Sequence, residues 1–256
     1  MTFDAYIGID YSGAETPESR LKGLQVYAAT DGLPEKVIAI PEEGKTHWKW
    51  SRREVAQWLI ERAWGEDRFI VGIDHAFSFP IAYFERYHLN DWDHFLGDFV
   101  EHWPTHEPGM YVDFVRDRRP HRTGDNNEYR LCDRWTSSAK SCFHFDVQGQ
   151  VAKSTHAGLP WLWHIRERLG DLIHFWPFDG WAIPEGKSVI AEVYPSIFRN
   201  RYPRNGRTVD EQDAYSVARW LRETCEGGLL ERYLHPPLTP DERKVAMLEG
   251  WILGIC

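Results

Sequence analysis

Three apolar runs in this chain end on, or just after, a carboxylate. Residues 5–10 (AYIGID) stop at Asp10, residues 68–80 (RFIVGIDHAFSFP) carry Asp74, and residues 187–196 (KSVIAEVYPS) carry Glu192 ahead of Pro195. Short apolar, β-branched runs bounded by turn formers read as strands. A strand that stops on an acid delivers it to the edge of a sheet. An aspartate there has an ordinary use, since it accepts backbone N–H bonds in turns and caps. Its other use is to hold a metal ion or face a phosphate, because ligands gather at strand carboxyl ends in sheets flanked by helices. A single acid does not separate these readings; several at matching places do.

The order of elements supplies the frame. Residues 5–10, 24–29 (LQVYAA) and 36–41 (KVIAIP) are strands joined by Gly-, Pro- and Asp-rich connections, which predicts an antiparallel meander. Residues 51–64 switch to helical period, with Ser51 and Glu54 as a capping box and Val55, Trp58, Leu59 and Ala63 as the apolar stripe. The strand over 68–80 follows. Beyond it, 81–156 is irregular and reads as an insertion: 91–103 suits an amphipathic helix, and 116–134 holds six arginines and four acids and reads as a polar surface loop. A helix is expected over 158–170 and strands over 172–177 and 187–196. Two capped helices follow, over 208–228 (Thr208, Glu211, closing on Gly227-Gly228) and 239–254 (Thr239, Glu242, with Pro240 at the first position). The expectation is one α/β domain over 1–256. Its mixed sheet has five or more strands, three antiparallel and the rest parallel, with helices on both faces.

Composition narrows the function. With 42% hydrophobic and 14% aromatic residues in 256, the chain can fill a sizeable core, which argues against wholesale disorder. The tryptophans of THWKW (46–50), Trp161 and Trp163 are assigned to core or interface. The net charge of −9 restricts any contact with nucleic acid to local basic patches. The four cysteines include no C-x-x-C pair, which excludes a zinc knuckle or a redox motif. No signal peptide and no apolar run of membrane-spanning length is evident, so the expected setting is the cytoplasm, away from membranes.

A fourth acidic position lies on the helix over 208–228. Asp210 and Asp213 are three apart and share a helical face, extending the stripe of Ala214, Val217, Ala218, Leu221 and Cys225 toward the helix N-terminus. Each acid alone has a structural explanation: the helix dipole for Asp210, or an arginine such as Arg199 or Arg201 for Glu192. Together they repel unless a cation neutralises them. An all-oxygen donor set selects Mg²⁺ or Mn²⁺. Two such ions roughly 4 Å apart activate a water and stabilise the leaving oxygen of a phosphodiester.

This pattern resembles the ribonuclease H-like superfamily. More narrowly, IGIDYSGA, VGIDHAFSFP, AEVYPS and DEQDAYSVA resemble the four signature segments of the family called domain of unknown function 429, described as predicted nucleases. The resemblance implies a metal-dependent nuclease in which Asp10, Asp74, Glu192 and Asp213 ligate the metal and Asp210 is an accessory carboxylate. RNRYPRNGR (199–207) lies between the Glu192 strand and the Asp213 helix, so Arg199, Arg201 and Arg204 are candidate phosphate contacts. Tyr194, Phe198 and Tyr202 among them suit either base stacking or core packing. His75, beside Asp74, reads as structural or as an aid to proton transfer. Two rival readings stand beside the nuclease. In an actin-like or sugar-kinase-type ATP-binding phosphotransferase, Ser12 and Gly13 would cradle phosphate through backbone N–H groups. In a non-enzymatic binding module, the acids would be structural remnants.

Overall fold

The run 5–10 becomes the central strand of the sheet. The computed structural model describes residues 2–40, 49–136, 138–146 and 151–256. β1 (Ala5–Asp10) pairs antiparallel with β2 (Gln25–Ala29), which pairs antiparallel with the short β3 (Glu35–Val37). The strand expected over 36–41 is therefore shorter and begins earlier; its residue 41, like 46–48 of the tryptophan-bearing stretch, lies outside the described residues. α1 (Arg52–Ala63) follows, capped by the reciprocal Ser51–Glu54 box, and leads to β4 (Phe69–Asp74), parallel to β1.

Next come α2 (Ile81–Tyr87), α3 (Trp92–His102), α4 (Val112–Arg118), α5 (Leu131–Trp135) and the long α6 (Ala152–Leu169). β5 (Ile173–Trp176) and β6 (Ser188–Val193) are parallel to each other, and β6 is parallel to β4. α7 (Val209–Glu226), α8 (Leu230–Leu234), α9 (Pro240–Glu249) and the two-residue β7 (Ile252–Leu253) complete the order. The seven-stranded mixed sheet runs β3-β2-β1-β4-β6-β5. β5 pairs with residues 188–191 of β6, and β7 pairs in parallel with residues 192–193.

Alternation along the strands sorts two faces. Ile7 and Ile9 of β1, Val71 and Ile73 of β4 and Ile190 of β6 join one core with Val55 and Leu59 of α1 and Leu162 and Ile165 of α6. Tyr6, Ile70, Val189 and Ala191 join the other, with Ala214, Val217 and Leu221 of α7. Burying an aliphatic side chain of this size contributes about 1.5–3 kcal/mol, so these layers dominate the stability of the core. On the α7 face, Gly8 and Gly72 are register partners. A Cβ on Gly8 would stand 2.1 Å from the Ala214 carbonyl oxygen, and one on Gly72 would stand 2.6 Å from Val193 Cγ1. Two missing side chains thus let α7 lie directly on β1 and β4.

Two stretches differ from the expectations. α6 begins at Ala152, not 158, and continues through Pro160; its inward residues Thr155, His156 and Leu159 are buried, and packing overrides the helix-breaking tendency of proline. The helix expected to reach 254 stops at Glu249, where Gly250 takes φ +80°, and the chain turns into β7. The insertion carries an aromatic cluster in which Phe79 meets Tyr83 at 4.8 Å and Phe143 at 4.6 Å, continuous with the α1/α6 core. The stretch 116–134 includes the end of α4 and most of α5. Among the described residues no helix is long and apolar enough to cross a membrane.

Candidate active site

The parallel register between β1 and β4 makes Asp10 and Asp74 direct neighbours. Both continue the alternation of Gly8 and Gly72, so both side chains leave from the α7 face. Asp213 immediately precedes Ala214, whose carbonyl presses on Gly8, and so the close approach of α7 carries Asp213 to the same place. Asp210 lies one turn earlier, half-buried. The four acids open into a cleft of about 800 Å³ that is also lined by Ser12 and Arg199.

Asp10 and Asp74 keep some surface toward the cleft yet lie deep beneath it. Burial is the largest cause that pushes Asp10 well above the usual carboxylate range, with Asp74, Asp213 and Asp210 adding to it. Burial, then Asp213, pushes Asp74 up to about 8 against the pull of Arg199. The two carboxyls are register neighbours, so each raises the cost of ionising the pair in this buried place. Asp213, 6% exposed, is raised to about 6 by burial, offset by Arg199. Its Oδ1 lies 3.2 Å from Arg199 Nε but is buried without a hydrogen-bond partner. His75 Nδ1 stands 2.9 Å from the Ala76 carbonyl oxygen, an arrangement that puts the proton on Nδ1. Its Nε2 is buried and unpartnered, and burial pushes the ring down to about 4, so His75 is neutral.

Glu192 stands apart. It pairs with Ile73, not with Asp74, and shares the parity of Ile190, so its side chain leaves from the opposite face of the sheet. There it meets Arg130, which donates from Nη2 to Oε1 at 2.6 Å and from Nη1 to Oε2 at 2.7 Å; the Phe77 N–H donates to Oε2 at 2.9 Å. Arg130 also donates to Asp133, from Nε to Oδ2 at 3.2 Å and from Nη2 to Oδ1 at 3.0 Å. Glu249 closes the network: its carboxylate accepts the N–H groups of Ile81 and Leu131, the first residues of α2 and α5. Sequence reasoning missed Arg130, Asp133 and Glu249. Their signal was faint, because an arginine in a polar, turn-rich stretch looks solvated.

No family model matches this chain. No curated protein and no solved structure matches it either.

The remaining candidates divide. Ser12 belongs to a loop held from beneath by the buried Arg52, which donates to the carbonyls of Ser12 (3.1 Å), Ala14 (2.6 Å) and Glu15 (2.8 Å). Arg199 reaches the cleft and donates to Ser196 Oγ at 2.6 Å. Arg201 is exposed and does not line the cleft, and Arg204 is turned onto the Arg207 carbonyl. Phe198 stacks on Trp220 at 4.8 Å and Tyr202 donates to Glu223, so both serve packing; Tyr194 stands at the cleft, its hydroxyl 3.2 Å from Ser138 Oγ.

Among the described residues no three His, Cys, Asp or Glu side chains stand gathered in metal-binding geometry. Glu192, engaged by Arg130, leaves from the opposite face of the sheet and does not join the other acids. The chemistry of the donors nonetheless suits a hard cation: Asp10, Asp74 and Asp213 line one cleft as an all-oxygen set, and Asp213 Oδ1, ion-paired with Arg199 at 3.2 Å, is buried with no hydrogen bond of its own.

Proposed function

We propose that this chain is a divalent-cation-dependent nuclease that hydrolyses phosphodiester bonds on a ribonuclease H-like core. The observation that carries the reading is the register pair Asp10–Asp74 with Asp213 brought onto it by α7. The sheet order supports it, with three antiparallel strands, then parallel ones, and a late helix lying back over β1, as the resemblance implies. Asp10, Asp74 and Asp213 hold Mg²⁺ or Mn²⁺, with Asp210 beside them. Such an ion, when bound, polarises a phosphoryl oxygen and makes a water acidic enough to attack. Arg199, already ordered by Asp213 and Ser196, orients a phosphate oxygen at the cleft. His75, neutral and packed against Gly158 of α6, adds no positive charge that would repel the cation. The kinase alternative needs a glycine-rich phosphate loop after β4, and that segment instead holds the buried His75, Phe77 and Phe79. The same reading places the protein in the cytoplasm with nucleic acid as its partner.

The test is cleavage of labelled DNA, RNA, hybrid and junction substrates in Mg²⁺ and in Mn²⁺ by the wild type and Asp10→Asn. Cleavage that needs the metal and falls by at least about 100-fold in the variant is expected, because Asp10 would be one of the carboxylates that hold the cation. Equal cleavage by both proteins refutes the assignment.

A further inference from the structure

We propose that this site holds one divalent cation rather than two, with Arg130 standing in the place of the second as the fixed counter-charge of Glu192. The inference rests on the reading of Asp10, Asp74 and Asp213 as a cation site and adds what the neighbouring carboxylate does.

Geometry comes first. Glu192 lines the same cleft as Asp10 and Asp74 but departs from the other face of the sheet, and both of its oxygens are taken. The arginine that takes them is 2% exposed and lines the cleft beside Glu192. Asp133 grips its other side, and that carboxylate is itself fixed by the Arg130 backbone N–H at 3.0 Å. The last guanidinium N–H reaches the Glu249 carbonyl at 3.4 Å. All five donors of Arg130 are therefore engaged within the protein, which makes it a positioning residue and not a substrate contact.

Charge leads to the same conclusion. Asp10, Asp74, Asp210 and Asp213 line the α7 side of the cleft, where Arg199 is ion-paired with Asp213, and the excess of carboxylates there is what a divalent ion would balance. On the other side Glu192 is already neutralised through two charge-assisted bonds. Drawing it to a metal would strand Arg130 as a buried charge with one partner fewer, a costly arrangement. The insertion thus withdraws one carboxylate from metal duty. Deleting the guanidinium charge should return it: Arg130→Gln leaves Glu192 and Asp133 as adjacent buried carboxylates with no cation between them.

The experiment is Mn²⁺ titration of the full chain, read by calorimetry for stoichiometry and by electron paramagnetic resonance for spin coupling between ions. Wild type is expected to bind one ion with the six-line signal of an isolated Mn²⁺. Glu192→Gln keeps that single ion and weakens it by less than about tenfold, the lower bound for loss of a supporting ligand. Arg130→Gln gains a second ion with a coupled signal, and if it does not fold, the Glu192→Gln result decides alone. Two coupled ions in the wild type, or loss of an ion in Glu192→Gln, overturn the inference and leave the nuclease reading standing. No ion in the wild type, in a protein whose Asp10→Asn variant behaves identically, removes the cation site itself and the inference with it.

Discussion

Asp10 and Asp74 are register neighbours deep beneath the cleft, where burial and the neighbouring acids favour a retained proton. That proton sets a pH dependence. An acid whose folded-state pKa is raised binds more protons in the folded chain than in the unfolded one, so stability falls as pH rises from the unfolded value through the folded one. Asp213 at about 6 and Asp74 at about 8 therefore place the loss between ordinary carboxylate pKa values, near pH 4, and about pH 8. In chelator, the melting temperature is expected to fall between pH 5 and pH 8, and Asp74→Asn should flatten the fall. Added Mg²⁺ should restore the wild type at pH 8, because a cation supplies the charge the proton no longer does. A melting temperature indifferent to both pH and Mg²⁺ would refute the burial of these acids as described.

At the scale of elements, the site depends on how closely α7 lies on β1. Gly8→Ala places a methyl 2.1 Å from the Ala214 carbonyl, a backbone atom that moves only if the helix does. Overpacking of this kind costs about 1–3 kcal/mol, and here the displaced helix carries Asp213. Lower stability in urea and weaker Mn²⁺ binding should therefore appear together, although no ligand has been changed. Gly32→Ala is the control: a Cβ there meets nothing within 4 Å, and a change of no more than about 0.5 kcal/mol is expected. Much of this was legible beforehand. Alternation in AYIGID and FIVGID exposed the strands, the Thr208–Glu211 box located the start of α7, and Asp213 followed from its apolar stripe. The face of Glu192 is legible too, since Ile190 and Glu192 share parity: its place at a strand end gives the edge it reaches, and its parity gives the side it leaves from. Arg130 was not legible, because its partners lie 62 residues on at Glu192 and 119 residues on at Glu249. Only the spacing to Asp133 hinted at it.

Over the whole molecule, the charge of −9 and the few cations at the cleft bound how it can meet a polyanion. Lys140, Lys153 and Arg199 reach the cleft, and Lys153 is already paired with Asp113 at 2.7 Å. With about three phosphate contacts, the logarithm of duplex-DNA affinity should fall against the logarithm of salt with a slope no steeper than about −3. A filter-binding series across salt concentrations measures it, and a slope near −8 would require a basic surface outside this cleft. The network beneath the cleft has a different consequence. One carboxylate, that of Glu249 at the end of α9, holds the leading amides of both α2 and α5, and Arg130 fastens α5 to β6. None of these helices can fray at its leading end without breaking bonds that hold the others. Their amide hydrogens therefore exchange with solvent in one cooperative opening, so the wall of the cleft breathes as a single panel and not helix by helix.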